Sequence, residues 1–370
     1  MLRILHIVPT AGIGGVSTNL LRLIDAFSKI DYEHEVCILG ETGFLSHELL
    51  IRGMKLSVMG MQHDLDIPGA FRLAIFLMRN KYALVYVHYR SFLGSLMLAI
   101  FCRAKKIITQ TGSELVSDHP WKTKFFYHLF GFQYDKVIAV SNCIKDALLH
   151  GCGLQNNKVV VIRHGIECEK FTGLLKKRQF LREKFNLLGK KKVVGILARI
   201  VTAKGIDIFM QVAQEVKKQD DNFIFVIAGD GPLLNRYRYS LEVAVLMPDI
   251  RFLGELNDPG DILPALDIFL FTSRWEAFGV VLLEAMAMGI PISAFSIPVV
   301  KEILTDEEDA LLVEPFDIKE MARALLRIAY DDVLANRLSQ NAKLKVQDKF
   351  SLRCRTEKIQ GIYKEVINAI

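Results

Sequence analysis

Three absences narrow the class of protein. The six cysteines are scattered, with no C-x-x-C pair and no secretory signal, so a disulfide framework is not expected. The longest apolar run beyond the first strand, residues 92–102, is far shorter than the ~20 residues needed to cross a bilayer. No dense Arg/Lys stripe, zinc-finger motif or RNP-like motif is present. These absences predict a cytoplasmic protein that binds no nucleic acid.

The composition predicts a folded protein with more than one core. The chain has 370 residues, of which 51% are hydrophobic and 24% charged. A chain of this length divides into two domains more readily than it builds one large core. The net charge of +6 is mild, and it suits anionic small molecules or a membrane surface.

Short apolar strands alternate with helical patterns along the whole chain, which predicts parallel sheets covered on both faces. Ligands of such sheets bind at the carboxyl ends of the strands. A polar, irregular stretch at 169–190 is the expected linker. The predicted strands are 2–8, 34–39, 84–88, 106–109, 136–140 and 159–162 before it, and 192–197, 223–228, 250–253, 268–271 and 291–294 after it.

Three segments of the first half are candidates for function, and each has a plainer interpretation. The glycine-rich turn at 10–16 suits an anion at a helix start, or is only a tight turn. Asp64-Leu65-Asp66 resembles a metal-binding D-x-D, but the following Ile67-Pro68 favours a capped helix start. The aromatic and basic stretch 121–132 suits a membrane interface, or is a core helix.

The second half holds the stronger signals. Arg199 and Lys204 flank the turn between a strand and a helix, where a diphosphate would meet two cations and a positive helix end. The plainer interpretation is two solvated cations. Further on, Glu284 lies inside an almost wholly apolar helix, where an ionised carboxylate requires a partner. That partner is either a bound ligand or a nearby base such as Arg274.

These segments follow one another in a characteristic order: a Gly-Gly turn, Ala139-Val140-Ser141-Asn142, Val161-Ile162-x-x-Gly165-Ile166, Arg199 with Lys204-Gly205, Gly229-Asp230-Gly231-Pro232, Phe252-x-Gly254, and Glu276-x7-Glu284 leading to Gly289-x-Pro291. The order resembles that of the retaining nucleotide-sugar glycosyltransferases of family four. The resemblance covers most of the chain and is more specific in the second half.

The resemblance implies an α/β protein of the GT-B fold, with two Rossmann-like domains facing across a cleft. Residues 1–168 would form the acceptor domain, and 191–350 the nucleotide-sugar donor domain. A C-terminal helix at 351–370 would cross back onto the first domain.

The resemblance also implies the donor-binding residues. Glu284 would hold the ribose hydroxyls, Arg199 and Lys204 the diphosphate, and Glu276 the transferred sugar. The base would lie near the backbone of 252–254. The remaining donor contacts would come from Gly14, Gly15, Gly229, Gly254, Ala277, Phe278 and Gly279. Catalysis would rest on Glu276, Arg199 and Lys204, with a UDP-, GDP- or similar sugar as substrate and no metal or other cofactor required.

Two departures from the family pattern affect the acceptor side. The loop 109–114 lacks the His that the family often has there, so Thr111 is expected in its place, and His164 stands where the family usually has Asn. The expected reaction is transfer of a sugar to a hydroxyl of a glycan or lipid-linked acceptor in surface polysaccharide assembly. It would take place in the cytoplasm or at the inner face of the cell membrane, with peripheral contact through 121–132. Two alternatives stay open: a non-catalytic nucleotide-sugar-binding or regulatory subunit, and a nucleotide-sugar 2-epimerase of the same architecture.

Overall fold

The chain forms two units, each built on its own parallel sheet. The structure, a computed structural model, describes residues 1–12, 15–27, 32–110, 120–189, 192–256 and 258–369. Unit 1 comprises Met1–His164 together with Leu352–Ile370, and unit 2 comprises Gly165–Ser351.

Unit 1 contains a seven-stranded sheet in the order β3-β2-β1-β4-β5-β6-β7. Its strands are β1 Leu2–Val8, β2 Tyr32–Ile38, β3 Lys55–Val58, β4 Leu84–Val87, β5 Lys105–Gln110, β6 Lys136–Ala139 and β7 Val159–Val161. The central β1 places Ile4 opposite His34 on one side and Leu84 on the other. The inner strands β1, β4 and β5 are buried over most of their length, as expected when helices cover both faces of a sheet.

The helices of unit 1 are α1 Gly15–Ala26, α2 Phe44–Ile51, α3 Ile67–Arg79, α4 Phe92–Phe101, α5 Pro120–Phe130, α6 Asn142–Asp146 and α15 Leu352–Asn368. Capping side chains define where several of them begin. Ser91 accepts from the Gly94 amide at α4, and Ser141 accepts from the Ile144 amide at α6.

The last helix belongs to the core of unit 1. Ile359 and Tyr363 of α15 are fully buried in one cluster with Ile4 and Tyr86 of the sheet. The Tyr363 ring also stacks on Phe27 with 5.3 Å between centroids. The predicted return of the C-terminal helix to the first half of the chain is therefore confirmed.

Unit 2 repeats the plan with six parallel strands in the order β10-β9-β8-β11-β12-β13. They are β8 Lys192–Leu197, β9 Phe223–Ala228, β10 Ile250–Gly254, β11 Ile268–Phe271, β12 Ile292–Phe295 and β13 Leu311–Val313. Its helices are α7 Arg178–Lys184, α8 Ile206–Lys217, α9 Leu234–Arg238, α10 Leu241–Leu246, α11 Val280–Met288, α12 Pro298–Lys301, α13 Ile318–Tyr330 and α14 Asp332–Lys349.

The segment expected to be a linker packs on unit 2. Arg178 and Arg182 of α7 both pair with the Asp267 carboxylate, which also accepts from the Val193 amide at 2.7 Å. The division of the chain falls at 164, not at 168, and 169–190 lies within unit 2. The common partner of these two cations lies more than eighty positions away in the sequence, so no local pattern indicates that the segment packs on unit 2.

No helix among the described residues is long and apolar enough to cross a membrane.

Candidate functional site

The site of unit 2 lies where the strand order reverses. Strand β8 is first in the sequence of this sheet, and its neighbours β9 and β11 lead away in opposite directions. The loops that leave the carboxyl ends of β8 and β11 therefore diverge and leave a crevice, which is where parallel α/β sheets bind ligands. Arg199 follows β8, and Ser273 follows β11.

Glycines let these loops approach one another. Gly229, after β9, has a φ of +133°, and a Cβ there would lie 1.9 Å from the Ala198 carbonyl oxygen. The Gly229 amide donates to the Gly254 carbonyl at 2.7 Å, and the Ile200 amide donates to the Asp230 backbone carbonyl at 2.8 Å. These bonds join the ends of β8, β9 and β10 into one rigid wall.

Gly205, on the other side of β8, likewise allows two loops to approach closely. It ends the turn Thr202–Lys204 in the left-handed region, with a φ of +64°, and leads into α8. A Cβ there would lie 2.1 Å from the Thr272 carbonyl oxygen. The Thr272 hydroxyl donates to the Gly205 carbonyl at 3.0 Å, so the Lys204 loop is held against the end of β11.

A pocket of about 570 Å³ opens beside this wall. Glu284 of α11 lines it and is only 7% exposed. Arg199 and Gly229 line it as well, so three residues predicted for donor binding meet in one place. The remaining lining residues are Leu197, Ala198, Asp230, Gly231, Glu255, Leu256, Pro259 and Val281.

Glu276 and Lys204 form an ion pair with each other. The Ser273 hydroxyl also donates to Glu276 Oε1, at 3.3 Å. The Lys204 side chain is 24% exposed and that of Glu276 11%, so solvent screens the pair only in part. Lys204 was predicted to bind the diphosphate and Glu276 the transferred sugar. In this structure their charges neutralise one another between the loops that follow β8 and β11.

The proposed protein partner of Glu284 is engaged elsewhere. Arg274 forms a forked pair with Asp207, at 2.8 Å and 2.5 Å, and also donates to the Thr202 carbonyl at 2.9 Å. This pair lowers the pKa of the Asp207 carboxyl through the Arg274 hydrogen bonds. Arg274 therefore links the loop after β11 to the loop after β8 and to the first turn of α8.

The loop between Glu276 and α11 presents backbone to its surroundings. The side chains of Ala277 and Phe278 are 8% and 2% exposed, and Gly279 has a φ of +93° at the start of α11. Their side chains therefore belong to the core, and only main-chain groups are left for a ligand. A helix that starts at a glycine in such a loop offers unbonded N–H groups to an anion.

Several predicted residues lie away from this pocket or outside the described residues. Gly14 and Thr111 fall outside the described residues, and Gly15 is the first residue of α1. Gly254 bonds to Gly229 through its carbonyl. His164 is buried close to Arg355 and Arg22, and that burial lowers its pKa well below the ordinary value.

Sequence reasoning missed the pocket residues that follow β10. Glu255, Leu256 and Pro259 line the pocket, but no motif singles them out. The only available signal was position, since all three follow a strand that was correctly expected at 250–253.

A second pocket, of about 700 Å³, lies in unit 1. The strand order of this sheet reverses at β1 and β4, and residues after both strands line the pocket. The lining is mainly apolar and includes two cations, Arg90 and Lys122. The residues are Pro9, Thr10, Leu39, Gly40, Met61, Gln62, His63, Asp64, Leu65, Tyr89, Arg90, Ser91, Phe92, Trp121, Lys122, Phe125 and Phe126.

The two aspartates near this pocket act as helix caps. Asp66 accepts from the Gly69 amide at 3.0 Å and starts α3, as the plainer interpretation predicted. Asp64 accepts from the Ser91 hydroxyl at 2.5 Å and from the Phe92 amide at 2.9 Å. Among the residues that the structure describes, no group of three or more His, Cys, Asp or Glu side chains is arranged to hold a metal.

Two doubly wound parallel sheets, each with a pocket at its strand-order reversal, define a GT-B architecture, and solved structures agree. A glycosyltransferase from Rickettsia africae ESF-5 superposes with a TM-score of 0.84 over 100% of this chain and 99% of that one, at 23% identity. Anabaena HepE in complex with UDP superposes with a TM-score of 0.82 over 98% of this chain and 100% of that one, at 19% identity. These likenesses establish the fold.

The family follows from the sequence comparisons. Residues 13–170 match the family model described as Glycosyltransferase Family 4, and 177–345 match the model described as Glycosyl transferases group 1. The Escherichia coli UDP-Gal:alpha-D-GlcNAc-diphosphoundecaprenol alpha-1,3-galactosyltransferase is 30% identical over 63% of this chain and 60% of its own length. The chain thus spans less than two thirds of that relative. The protein belongs to the family 4 glycosyltransferases, which confirms the resemblance inferred from its motifs.

Proposed function

We propose that the protein transfers a sugar, with retention of configuration, from a nucleoside diphosphate sugar to a hydroxyl of a lipid-linked glycan. The observation that carries this proposal is the unit 2 pocket, where a buried carboxylate, a cation and a glycine-built wall meet at the strand-order reversal. Its volume falls in the range of small-molecule sites.

Glu284 is proposed to bind the two ribose hydroxyls of the donor. A carboxylate has two oxygens and can accept from both hydroxyls at once. Hydrogen bonds to an ionised acceptor are about twice as strong as neutral ones. The position of Glu284 on the rigid, buried helix α11 supports this role, because the helix fixes the carboxylate in advance.

Arg199 and Lys204 are proposed to stabilise the departing diphosphate. During transfer the bond from the anomeric carbon to the diphosphate oxygen breaks, and negative charge grows on that oxygen. Fixed cations and helix N-termini that face the growing charge lower the barrier. Arg199 can form a fork with two oxygens, whereas Lys204 supplies a mobile point charge.

Glu276 and the backbone of Ala277–Gly279 are proposed to hold the transferred sugar. Attack on the same face as the leaving group would give retention: the acceptor oxygen bonds to the anomeric carbon, and its proton passes to a diphosphate oxygen. The ion pair with Lys204 holds the Glu276 carboxylate beside the cation proposed to bind the diphosphate, where the carboxylate can accept hydrogen bonds from sugar hydroxyls.

The acceptor is proposed to bind in the unit 1 pocket. An apolar lining with Arg90 and Lys122 suits an amphiphile that has an anionic head and an apolar chain. The Escherichia coli relative is named for a diphosphoundecaprenol acceptor, which has that chemistry. The burial of His164 gives no support to its predicted acceptor role, and Thr111 stays a prediction.

A thermal-shift panel of nucleoside diphosphates tests the donor site. A ligand that binds only the folded state raises the melting temperature. UDP is the first candidate, because Anabaena HepE binds it. We expect Lys204→Ala and Glu284→Ala to abolish the shift and to slow transfer by roughly 10²–10³-fold, as for loss of other charge-stabilising groups.

The control for this test is Lys218→Ala, which removes an exposed lysine that pairs with Glu215 outside the pocket. It should melt and turn over as the native protein does. Undiminished turnover of Lys204→Ala would contradict the diphosphate assignment. Binding of a nucleoside diphosphate sugar without any transfer would instead favour the regulatory-subunit alternative.

Transfer is also proposed to be independent of metal, since Arg199 and Lys204 would neutralise the diphosphate. We expect turnover to persist in excess EDTA, measured by release of nucleoside diphosphate. Abolition by EDTA with rescue by manganese would contradict this and return attention to Asp64 and Asp66.

The protein is further proposed to work at the inner face of a membrane, with contact through 121–132. The exposed Trp121 and Phe125, 60% and 52% accessible, support this contact. Other residues of the same stretch, Thr123, Phe126 and Tyr127, are buried. The stretch 121–132 by itself therefore offers only a narrow apolar surface.

A further inference from the structure

Three neighbouring helices of unit 1, α3, α4 and α5, lie in one outer layer. The segments that carry α3, α4 and α5 connect β3 to β4, β4 to β5 and β5 to β6, and each crosses the sheet in the same direction. Because such crossovers are right-handed, the three helices cover the same face of the sheet. α3 packs against α4, and α4 packs against α5. The solvent side of this layer is called the α3–α5 face below.

The solvent side of α3 is apolar. Ile67, Phe71, Ile75 and Met78 recur at helical spacing and are 62%, 65%, 43% and 59% exposed. The opposite side of the helix is buried and holds Gly69, Ala70, Leu73, Ala74 and Leu77. The helix is therefore apolar on both sides, although only one of them meets the core.

The neighbouring helices continue this apolar surface. α4, FLGSLMLAIF, contains no charged residue, and its Ile100 is 60% exposed. α5 adds Trp121 and Phe125, and the Phe125 ring stacks on Phe92 of α4 with 6.3 Å between centroids. Exposed apolar side chains are thus present on all three neighbouring helices, and an apolar surface of this kind marks an interaction surface.

The charges of the α3–α5 face have one sign. The sequences of the three helices hold four cations, Arg72 and Arg79 on α3 and Lys122 and Lys124 on α5, and no acid. The nearest acids on the preceding loop, Asp64 and Asp66, are occupied in capping α4 and α3.

We infer that the α3–α5 face docks the protein on an anionic lipid bilayer. Amphipathic helices that lie in the plane of a membrane place apolar side chains into it and cations at its surface. Tryptophan favours this interfacial region. A second copy of the chain fits less well, because two such faces would oppose their own cations. This surface extends far beyond 121–132, and its main apolar element is α3.

The inference does not depend on the proposed transfer reaction, since vesicle binding is measured without substrate. The principal test is the double variant Phe71→Ser/Ile75→Ser in the full chain, co-sedimented with vesicles of phosphatidylcholine and phosphatidylglycerol. We expect binding to fall by about tenfold or more, since each half-exposed side chain loses part of its transfer free energy. Both positions are exposed, so folding should be unaffected.

A matched control lies on the other face of the same sheet. Leu50 and Ile51 at the end of α2 are 64% and 67% exposed, and Leu50→Ser/Ile51→Ser removes a similar apolar area. This control should bind vesicles as the native chain does. Circular dichroism and the nucleoside diphosphate melting shift should be unchanged in both double variants, which separates loss of docking from loss of fold or of donor binding.

A second variant tests the charges. Arg79→Gln/Lys124→Gln should weaken binding to anionic vesicles by roughly 25-fold, since each of the two cations near the surface contributes about fivefold. It should leave the weak binding to pure phosphatidylcholine unchanged. Equal anionic-vesicle binding by the native chain and Phe71→Ser/Ile75→Ser would overturn the inference. Absence of vesicle binding, with self-association that Phe71→Ser/Ile75→Ser abolishes, would overturn it in favour of a second copy.

Discussion

At the residue scale, the pairing of Glu276 with Lys204 makes the two proposed roles interdependent. A diphosphate that recruits the Lys204 ammonium must share it with, or take it from, the Glu276 carboxylate. Both side chains lie mostly out of water, so this competition is stronger than it would be on the surface.

Glu276→Gln should therefore separate donor binding from transfer. Removal of the carboxylate charge frees Lys204 and removes repulsion of the diphosphate. We expect a nucleoside diphosphate to bind equally or up to about fivefold more tightly, as suits a partly screened pair. Transfer should fall by about 100-fold, because the sugar loses a charged contact. Calorimetry and a turnover assay measure the two effects.

The matched control is Glu215→Gln, which breaks an ion pair with Lys218 at 2.8 Å outside the pocket. It should change neither quantity. Glu276→Gln could instead lose nucleotide affinity as severely as Lys204→Ala. The ion pair would then serve to hold the loop in place, and the proposed contact of Glu276 with the sugar would be wrong.

At the element scale, the neighbouring strands β1, β2 and β4 of unit 1 bring three histidines into one hydrogen-bonded cluster. His6 of β1 shares a hydrogen bond with His88, just after β4, at 2.8 Å, and another with His34 of β2 at 2.8 Å. Burial lowers the pKa of all three, to about 4 for His34 and to about 3 for His88. The nearby Arg355 of α15 adds to the effect on His88. The rings are therefore neutral in the folded protein.

This cluster predicts loss of stability in mild acid. The unfolded chain takes up protons near the ordinary value of 6.5, whereas folded His34 takes one up only near 4. Between these values the unfolded state binds more protons, so stability falls as the pH falls. His34 alone should cost on the order of 2–3 kcal/mol over this window. Urea unfolding at a series of pH values measures it.

His34→Gln keeps a hydrogen-bonding side chain that does not titrate, so it should reduce the slope of stability against pH between 6.5 and 4. The remaining slope comes from His6 and His88, whose pKa values are lowered as well. His128→Gln, at an exposed position of α5, is the control and should leave the slope as it is. An unchanged slope in His34→Gln would mean that other groups cause the acid sensitivity.

At the scale of the whole molecule, the two units differ in how the chain builds them. Unit 2 is one continuous segment whose ends meet, since the Ile166 amide donates to the Phe350 carbonyl at 2.9 Å. Unit 1 is made of two segments, and its core is completed by α15 from the far end of the sequence.

Two fragments should therefore behave differently. The fragment 165–351 should fold and bind the same nucleoside diphosphate as the full chain, because all the residues that line the proposed donor pocket belong to unit 2 and lie between 197 and 284. The fragment 1–164 should not fold, because loss of α15 uncovers a core cluster that contributes several kcal/mol, a large share of a typical domain's stability.

Circular dichroism and thermal melting of each fragment measure these outcomes. Addition of a peptide of residues 352–369 should restore cooperative melting to fragment 1–164. A stable fragment 1–164 without the peptide would show that α15 is dispensable for that core.

Much of the fold was predictable because strands and helices here are locally encoded. The bounds of β1, β8, β9 and β11 agree with their sequence-based predictions. The two strands that were missed, β3 and β13, are edge strands of four and three residues. β3, KLSV, has no fully buried residue, and its sequence shows no apolar run. The segment 169–190 was misassigned because its partner Asp267 is remote in sequence.

The candidate site was predictable only where motif order marked it. Arg199, Gly229 and Glu284 were named from the sequence and line one pocket, whereas Glu255, Leu256 and Pro259 carry no motif. The unit 1 pocket was not predicted as one site, although the three candidate segments of the first half contribute Thr10, Asp64 and Trp121 to its lining. Segments that far apart in the sequence carry no local pattern to indicate that they meet.

The sequence by itself determined the alternation of strands and helices, the family motifs, and which residues are able to bind an anion or a sugar, because these depend on local pattern and residue chemistry. The tertiary structure alone decided which groups meet. It paired Lys204 with Glu276 and Arg274 with Asp207, and it brought three histidines together across β1, β2 and β4. It also turned the apolar side of α3 toward solvent, since exposure depends on what packs against a helix and not on the residues of the helix itself.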